Sequence, residues 1–294
     1  MPCFDAQPGR LDRVVATTLG IPRADVQRAI AAGRVLVDGR PRSKSFPLTG
    51  GEQVDVDMAG MDEIPAEGPP VPVRYEDNHL LVVSKPAGLV THPVSTRRTG
   101  TLVNRLLGMG IPLSSLGGPE RRGIVHRLDA GTSGLLLAAK DDETHALLVA
   151  MLARHEVERR YLALVRGSVR HDRFSVDAPL GRRRARILVR HEGGKEAETA
   201  FRVRQRYDAA TLLEAAPRTG RTHQIRVHLS SIGHPILGDR AYGGGGDDAK
   251  RLGLTRPFLH AWHLSFTHPV TGQRIDVEEA LPEDLEDALE RLRT

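Results

Sequence analysis

Cysteine is nearly absent. The 294 residues hold only Cys3, which excludes an intramolecular disulfide framework and any metal site built on several thiolates. No apolar run is long enough to cross a bilayer. The opening MPCFDAQPGR has no apolar signal segment, which points to the cytoplasm. There is no HExxH pair for zinc and no Gly-Lys-Ser or Gly-Lys-Thr to cradle a phosphate, so neither a zinc site nor a phosphate loop of those kinds is expected. No repeat period appears. What is present is 39% hydrophobic and 27% charged residues, enough apolar material for a core.

Lysine is scarce too. Lys44, Lys85, Lys140, Lys195 and Lys250 are the five lysines among 42 basic residues, against 37 acidic ones. From Asp276 onward there are eight acids and two arginines, so the rest of the chain holds 40 basic and 29 acidic residues. A basic body with an acidic tail suggests a polyanionic partner, nucleic acid first. Arginine suits phosphate because its planar fork donates two parallel hydrogen bonds.

Residues 10–57 read as a small unit. Leu11, Val14, Val15 and Leu19 recur at helical spacing, and a second helix is predicted from Arg23 to Ala32, stopped by Gly33. The run Val35-Leu36-Val37, a turn at Asp38-Gly39 and a strand from Gln53 to Asp57 follow. Arg23, Arg28, Arg34, Arg40, Arg42 and Lys44 are expected at its surface. The opening Arg10-Leu11-Asp12, the helix before Gly33 and Val35 to Gly39 resemble an S4-type RNA-binding domain. In that family the second helix and the loop after it bind structured RNA, which makes those six cations the expected RNA contacts.

Residues 58–72 are rich in Pro, Gly and acid, with no periodicity, and read as an extended linker. The division is 1–60 for the first unit, 61–72 for the linker and 73–294 for the second. Short β runs dominate 73–275, with helices expected over 102–107, 143–155 and 223–231. This pattern predicts an α+β domain on a mixed, largely antiparallel sheet. Leu281, Leu285, Leu289 and Leu292 mark a terminal amphipathic helix. The glycines of 243–248 read as a mobile loop, and Arg182, Arg183, Arg184, Arg186 and Arg190 as an exposed basic hairpin.

Two stretches carry the chemistry. Arg121 to Leu137 runs from an apolar stub through His126-Arg127-Leu128-Asp129 and a Gly/Thr/Ser loop into a buried strand, setting Asp129 on a loop between core segments. Alone, such an aspartate is as readily a turn or helix cap. Arg218 to His228 gathers basic groups at a helix start, where the dipole disfavours cations unless an anion is near; Asp129 or a phosphate could supply it.

Together these stretches resemble the RluA-type pseudouridine synthase family, which modifies large-subunit ribosomal RNA and some tRNA. Tyr75 to Gly88 resembles its first motif, Gly123 to Gly134 its catalytic motif and Arg160 to Gly167 the strand bearing its tyrosine. Gly220 to His228 resembles its arginine motif, and Leu259 to Pro269 its closing strand. Arg160 departs from the usual lysine but keeps the charge. The resemblance implies the pseudouridine synthase fold and isomerisation of uridine to pseudouridine, without a cofactor. It implies Asp129 as the reacting carboxylate, attacking C1′ or C6 or removing a sugar proton. It also implies Tyr161 stacked on the flipped uracil, and Arg221 ion-paired to Asp129. Arg127, His126, Lys85, His223 and Gln224 are expected to bind substrate around them. Large-subunit ribosomal RNA is favoured as the partner because S4-bearing members usually act there, and a monomer is expected. A non-catalytic RNA binder, or a glycosylase, which would need a second carboxylate, stands as the alternative. Asp141 and Asp142 fit a helix start better than that role.

Overall fold

The computed structural model describes residues 2–59, 64–94, 97–184 and 186–293. Its packing separates Met1–Pro65 with Val94–Arg98 from Ala66–Pro93 with Thr99–Thr294.

In the first unit the helices Leu11–Leu19 and Arg23–Ala31 bury Leu11, Val14, Val15, Val26, Ala29 and Ile30 against Val35, Val37, Val54 and Val56. Asp38 and Gly39 both have positive φ and close a two-residue hairpin between Val35–Val37 and Arg40–Pro41. The fully buried Asp12 ties the helices together, accepting from Arg10, Arg23 and Gln27. The six cations expected at this surface differ in their freedom. Arg28, Arg34 and Arg42 are half-buried rather than exposed. Arg28 pairs with Asp25, Arg34 reaches Asp57 and the Ala59 carbonyl, and Arg42 lies over the Phe46 ring. Arg23 is exposed but engaged by Asp12, which leaves Arg40 and Lys44 exposed without a side-chain partner among the described residues.

Positions 60–63 of the anticipated linker lie outside the described residues. Its later part is not loose: Val71 is buried, the Glu67 N–H donates to the Asn104 carbonyl, and the Glu67 carboxylate accepts from the Gly100 N–H.

The second unit is built on a nine-stranded sheet. Its order is Arg173–Asp177, Glu198–Arg206, Ala210–Pro217, Glu158–Arg166, Leu259–Thr267, Ser133–Ala139, Leu80–Lys85 and Val73–Glu76, with Arg274–Glu278 also paired to Leu259–Thr267. Every pairing is antiparallel except Leu259–Thr267 with Ser133–Ala139. The sheet is therefore mixed and largely antiparallel, as expected. Leu80, Val82, Leu135 and Leu137 pack with Leu148 and Met151 of the helix Asp142–Ala153. Asp141 caps that helix, its carboxylate accepting from the Thr144 N–H at 2.7 Å, while the Asp142 carboxylate accepts from Ser114 and Ser115. The basic run forms the expected hairpin, Leu180–Arg183 with Arg186–Val189, its arginines exposed.

The glycine run is packed, not free. A short 3-10 turn, Arg240–Tyr242, precedes it and a helix, Asp247–Arg251, follows. A Cβ on Gly244 would overlap the Ile236 carbonyl oxygen, and one on Gly238 the Arg256 carbonyl oxygen. The glycines are there for close backbone approach.

Candidate active site

One row of the sheet makes the floor of the site. Tyr161 pairs with Ala215 on one side and Ala261 on the other, and Ala261 pairs with Gly134. Residues paired in register share a face, so the tyrosine ring is flanked by very small side chains. That leaves space above the sheet. The resulting cavity, about 590 Å³, is lined by Asp129, Tyr161, His126, Arg127, His223 and Arg226 among others. Its volume falls in the range that holds small ligands.

The Asp129 loop is pinned along its backbone. The Thr91 hydroxyl donates to the Leu128 carbonyl at 2.7 Å, the Thr132 N–H to the Asp129 carbonyl at 3.0 Å, and the Gly88 N–H to the Ala130 carbonyl at 2.7 Å. Arg256 reaches the Gly131 carbonyl at 3.3 Å. A side chain on so constrained a loop needs little reorganisation before it reacts.

The partner of Asp129 is Arg226, not Arg221. Arg226 Nη1 donates to Asp129 Oδ2 at 3.1 Å. Arg221 sits in the turn before the helix Gln224–Ser231 and sends its Nε to the Glu196 carbonyl at 3.0 Å. Both arginines belong to the same motif, but of the two only Arg226, inside the helix, reaches Asp129. The Arg226 side chain is 11% exposed and that of Asp129 17%, so the pair is largely shielded from water yet reachable from the cavity. Burial opposes the charge on Arg226, but its hydrogen bonds and charge interactions with Asp239 and Asp129 outweigh that and raise its pKa. Asp129 Oδ1 makes no hydrogen bond among the described residues, and His223 Nε2 lies 4.0 Å from it.

Tyr161 is 7% exposed and lines the cavity. Burial, opposed by Arg159 and aided by Asp129, raises its phenol above the ordinary value, so it presents a neutral ring. His223 has φ of 56°, unusual outside glycine and typical of a strained functional position. Its Nδ1 is 2.7 Å from the Tyr242 hydroxyl, and burial lowers its pKa. Arg127 is exposed, lines the cavity and has no side-chain partner among the described residues. With Arg121, Arg159, Arg218 and Arg221 it gives the cavity a cationic rim.

Three residues expected to bind substrate are engaged by the protein itself, and two of them, His126 and Gln224, also line the cavity. Lys85 is fully buried, donating to the carbonyls of Pro86 and Leu89 at 2.9 Å and facing that of Ala130 at 3.4 Å. It braces the reacting loop from beneath and does not line the cavity. Burial brings its pKa down to about 7. His126 lies at the cavity wall, but its Nε2 accepts the Leu137 N–H at 3.0 Å, and burial drives its pKa down to about 3. Gln224 is buried and saturated: its carbonyl accepts from Thr219 and the Arg221 N–H, while its amide donates to the Glu198 carbonyl and to Thr199. It ties the turn that opens the helix to the sheet edge.

Sequence reasoning passes over Arg226, Asp239 and Tyr242. Asp239 takes the other side of the Arg226 guanidinium, and the Tyr242 ring lies 4.9 Å from it. For Arg226 the signal is the arginine motif itself; Asp239 and Tyr242 lie beyond that motif, among glycines whose close backbone approach composition does not reveal. Among the described residues no group of three or more His, Cys, Asp or Glu could hold a metal ion, and no helix is long and apolar enough to cross a membrane.

Residues 79–231 match the family model described as RNA pseudouridylate synthase, and residues 9–54 match the S4 domain. An uncharacterized RNA pseudouridine synthase of Bacillus subtilis is 40% identical, over 97% of this chain and 94% of its own. The ribosomal large subunit pseudouridine synthase D of Nitrosomonas europaea is 42% identical, over 97% of this chain and 84% of its own. The solved structure of human RNA pseudouridylate synthase domain containing 1 is similar with a TM-score of 0.59 at 25% identity, covering 76% of this chain and 89% of that one.

Proposed function

The chain belongs to the RNA pseudouridylate synthase family and is an RNA-uridine isomerase with an S4 domain, and from that premise we propose that it modifies large-subunit ribosomal RNA with Asp129 as the reacting carboxylate. The observation that carries this reading is the placement of Asp129: one oxygen held by Arg226, the other unbonded, beside a cavity with an aromatic floor and an arginine rim.

Each part has a task. The target uridine leaves its stack, at a cost of a few kcal/mol that a loop or single strand reduces. Tyr161 offers the extruded base an aromatic face that needs little ordering. The rim arginines, Arg127 foremost, hold the flanking phosphates. The N1–C1′ bond breaks with its electron pair going to the uracil. The base turns and C5 bonds to C1′. C5 then loses its proton and N1 gains one, so atoms and charge balance without a redox partner. Arg226 orients Asp129 for this sequence. The S4 unit adds cations for structured RNA, Arg40 and Lys44 among the freest of them.

The ribosomal substrate is supported by relatives named for it, including those of Nitrosomonas europaea and Zymomonas mobilis. A ribosomal RNA substrate puts the enzyme in the cytoplasm. The test is a pseudouridine map of total RNA from cells with and without the protein, repeated with Asp129→Asn. The expected result is loss of one or more large-subunit sites in both the deletion and the Asn strain. Unchanged large-subunit sites would refute the substrate, and full modification with Asp129→Asn would refute the carboxylate.

A further inference from the structure

Arg226 faces two carboxylates, and the reaction uses only one of them. Asp239 is the more deeply placed: its side chain is 1% exposed, and it takes the fork of the guanidinium, Nε at 2.7 Å and Nη2 at 2.9 Å. Asp129 takes a single N–H, from Nη1. The paired contact fixes the guanidinium plane; the single one cannot. We infer that Asp239 is a positioning residue for the isomerisation, locking Arg226 so that one N–H meets Asp129 Oδ2 while Oδ1 stays open to the substrate. This rests on the reading of Asp129 as the reacting group.

The surroundings fit that role. Asp239 is itself held, accepting from the Ala241 N–H at 3.2 Å at the start of the 3-10 turn. The Gly244 N–H donates to the Asp239 carbonyl and the Gly238 N–H to the Gly244 carbonyl, both at 2.8 Å. At Gly238 and Gly244 the backbone packs so closely against the carbonyls of Arg256 and Ile236 that no side chain would fit. The same turn carries Tyr242, whose ring covers Arg226 and whose hydroxyl meets His223. One tight loop thus sets both groups that flank the reacting carboxylate. Without Asp239 the guanidinium could swing onto both oxygens of Asp129 and occupy the one the substrate needs.

The test is kinetic, on the full-length protein with a ribosomal RNA fragment bearing the mapped site. Asp239→Asn keeps the shape and removes the charge and one acceptor. Its kcat should fall about 10- to 100-fold, the scale of loss that a misplacement near the reacting atoms produces, while KM for RNA stays within about twofold. Asp239→Glu keeps the charge and moves it by one methylene, and should lower kcat in the same way if position is what matters. Arg226→Ala combined with Asp239→Asn should be no slower than Arg226→Ala alone, since the effect passes through Arg226. Wild-type kcat in either Asp239 variant, or a double variant in which the two losses multiply, would overturn the inference. If an Asp239 variant does not fold, the other decides; if both fail, the double variant against Arg226→Ala does. Asp129→Asn is assayed alongside. Full activity there brings down the assignment of the reacting group, whereas an inactive Asp129→Asn beside a fully active Asp239→Asn brings down only the positioning role.

Discussion

At the scale of single residues, the site separates groups that hold from groups that react. Asp129→Asn should abolish turnover, on the order of 10³-fold or more, with RNA binding retained, read by tritium release or chemical mapping alongside filter binding. Arg226→Ala should lower kcat by about 10²- to 10³-fold, as loss of a preorganised donor does. Arg221→Ala should act mainly on KM, because its side chain stands at the rim. If Arg221→Ala proved the more damaging to kcat, the assignment of the Asp129 partner would be wrong. His126 offers a pH test. Its folded pKa of about 3 lies below the ordinary 6.5, so the folded state resists a proton that the unfolded chain accepts. The stability from keeping it neutral is whole above pH 6.5 and drains away as pH falls from there to about 3. His126→Gln should be less stable at pH 7, through the weakened acceptor for the Leu137 N–H. Between pH 7 and 5, however, it should lose about 2 kcal/mol less than the wild type in urea melts. Equal losses would show that the ring is not held neutral.

At the scale of elements, what the sequence makes legible is what periodicity controls. Leu80–Lys85 and Ser133–Ala139 are buried along nearly their whole length and read as continuous apolar runs. Glu158–Arg166 and Glu198–Arg206 extend beyond their apolar cores because the ladder continues through polar positions that periodicity does not mark. The glycine loop escapes a sequence reading for a related reason. Composition cannot distinguish a glycine chosen for looseness from one chosen because a neighbour's carbonyl leaves no space, and at Gly238 and Gly244 it is the second. The choice between Arg221 and Arg226 is hidden likewise. The motif is legible and so is its helix, expected over 223–231 and found over Gln224–Ser231, but which of its cations meets Asp129 depends on how that helix packs against the Asp129 loop, which no local pattern encodes. Gly134 tests the same logic in the sheet. It has φ of 110°, and a Cβ there would collide with the Ala261 carbonyl across the parallel pairing of Leu259–Thr267 with Ser133–Ala139. Gly134→Ala should cost about 3 kcal/mol in urea unfolding, as strained, overpacked core changes do. It should also impair turnover, because this pairing supports both the Asp129 loop and the Tyr161 row. A neutral substitution would mean that the strands part without cost.

At the scale of the whole molecule, the uneven charge finds its use in a polyanionic substrate. Outside the acidic tail the chain holds 40 basic and 29 acidic residues, and its arginines recur at the cavity rim, on the exposed hairpin and in the S4 unit. Cations that neutralise phosphates release counterions, so the logarithm of RNA affinity should fall linearly with the logarithm of salt concentration. The slope then measures how many phosphates the protein neutralises, and it lets the S4 unit be tested without removing it. Arg40 and Lys44 are exposed and have no side-chain partner among the described residues, so replacing them costs the fold little. Arg40→Ala with Lys44→Ala should weaken binding to natural ribosomal RNA and flatten the salt slope by roughly 1 for each phosphate that is no longer neutralised. Saturating single-turnover rates should hold, because neither side chain lines the cavity. By contrast Arg23→Ala removes a partner of the buried Asp12 and should lower the stability of the helix pair as well as binding. An unchanged salt slope in the double variant would mean that these cations meet no phosphate, and that recognition by the S4 unit runs through other side chains.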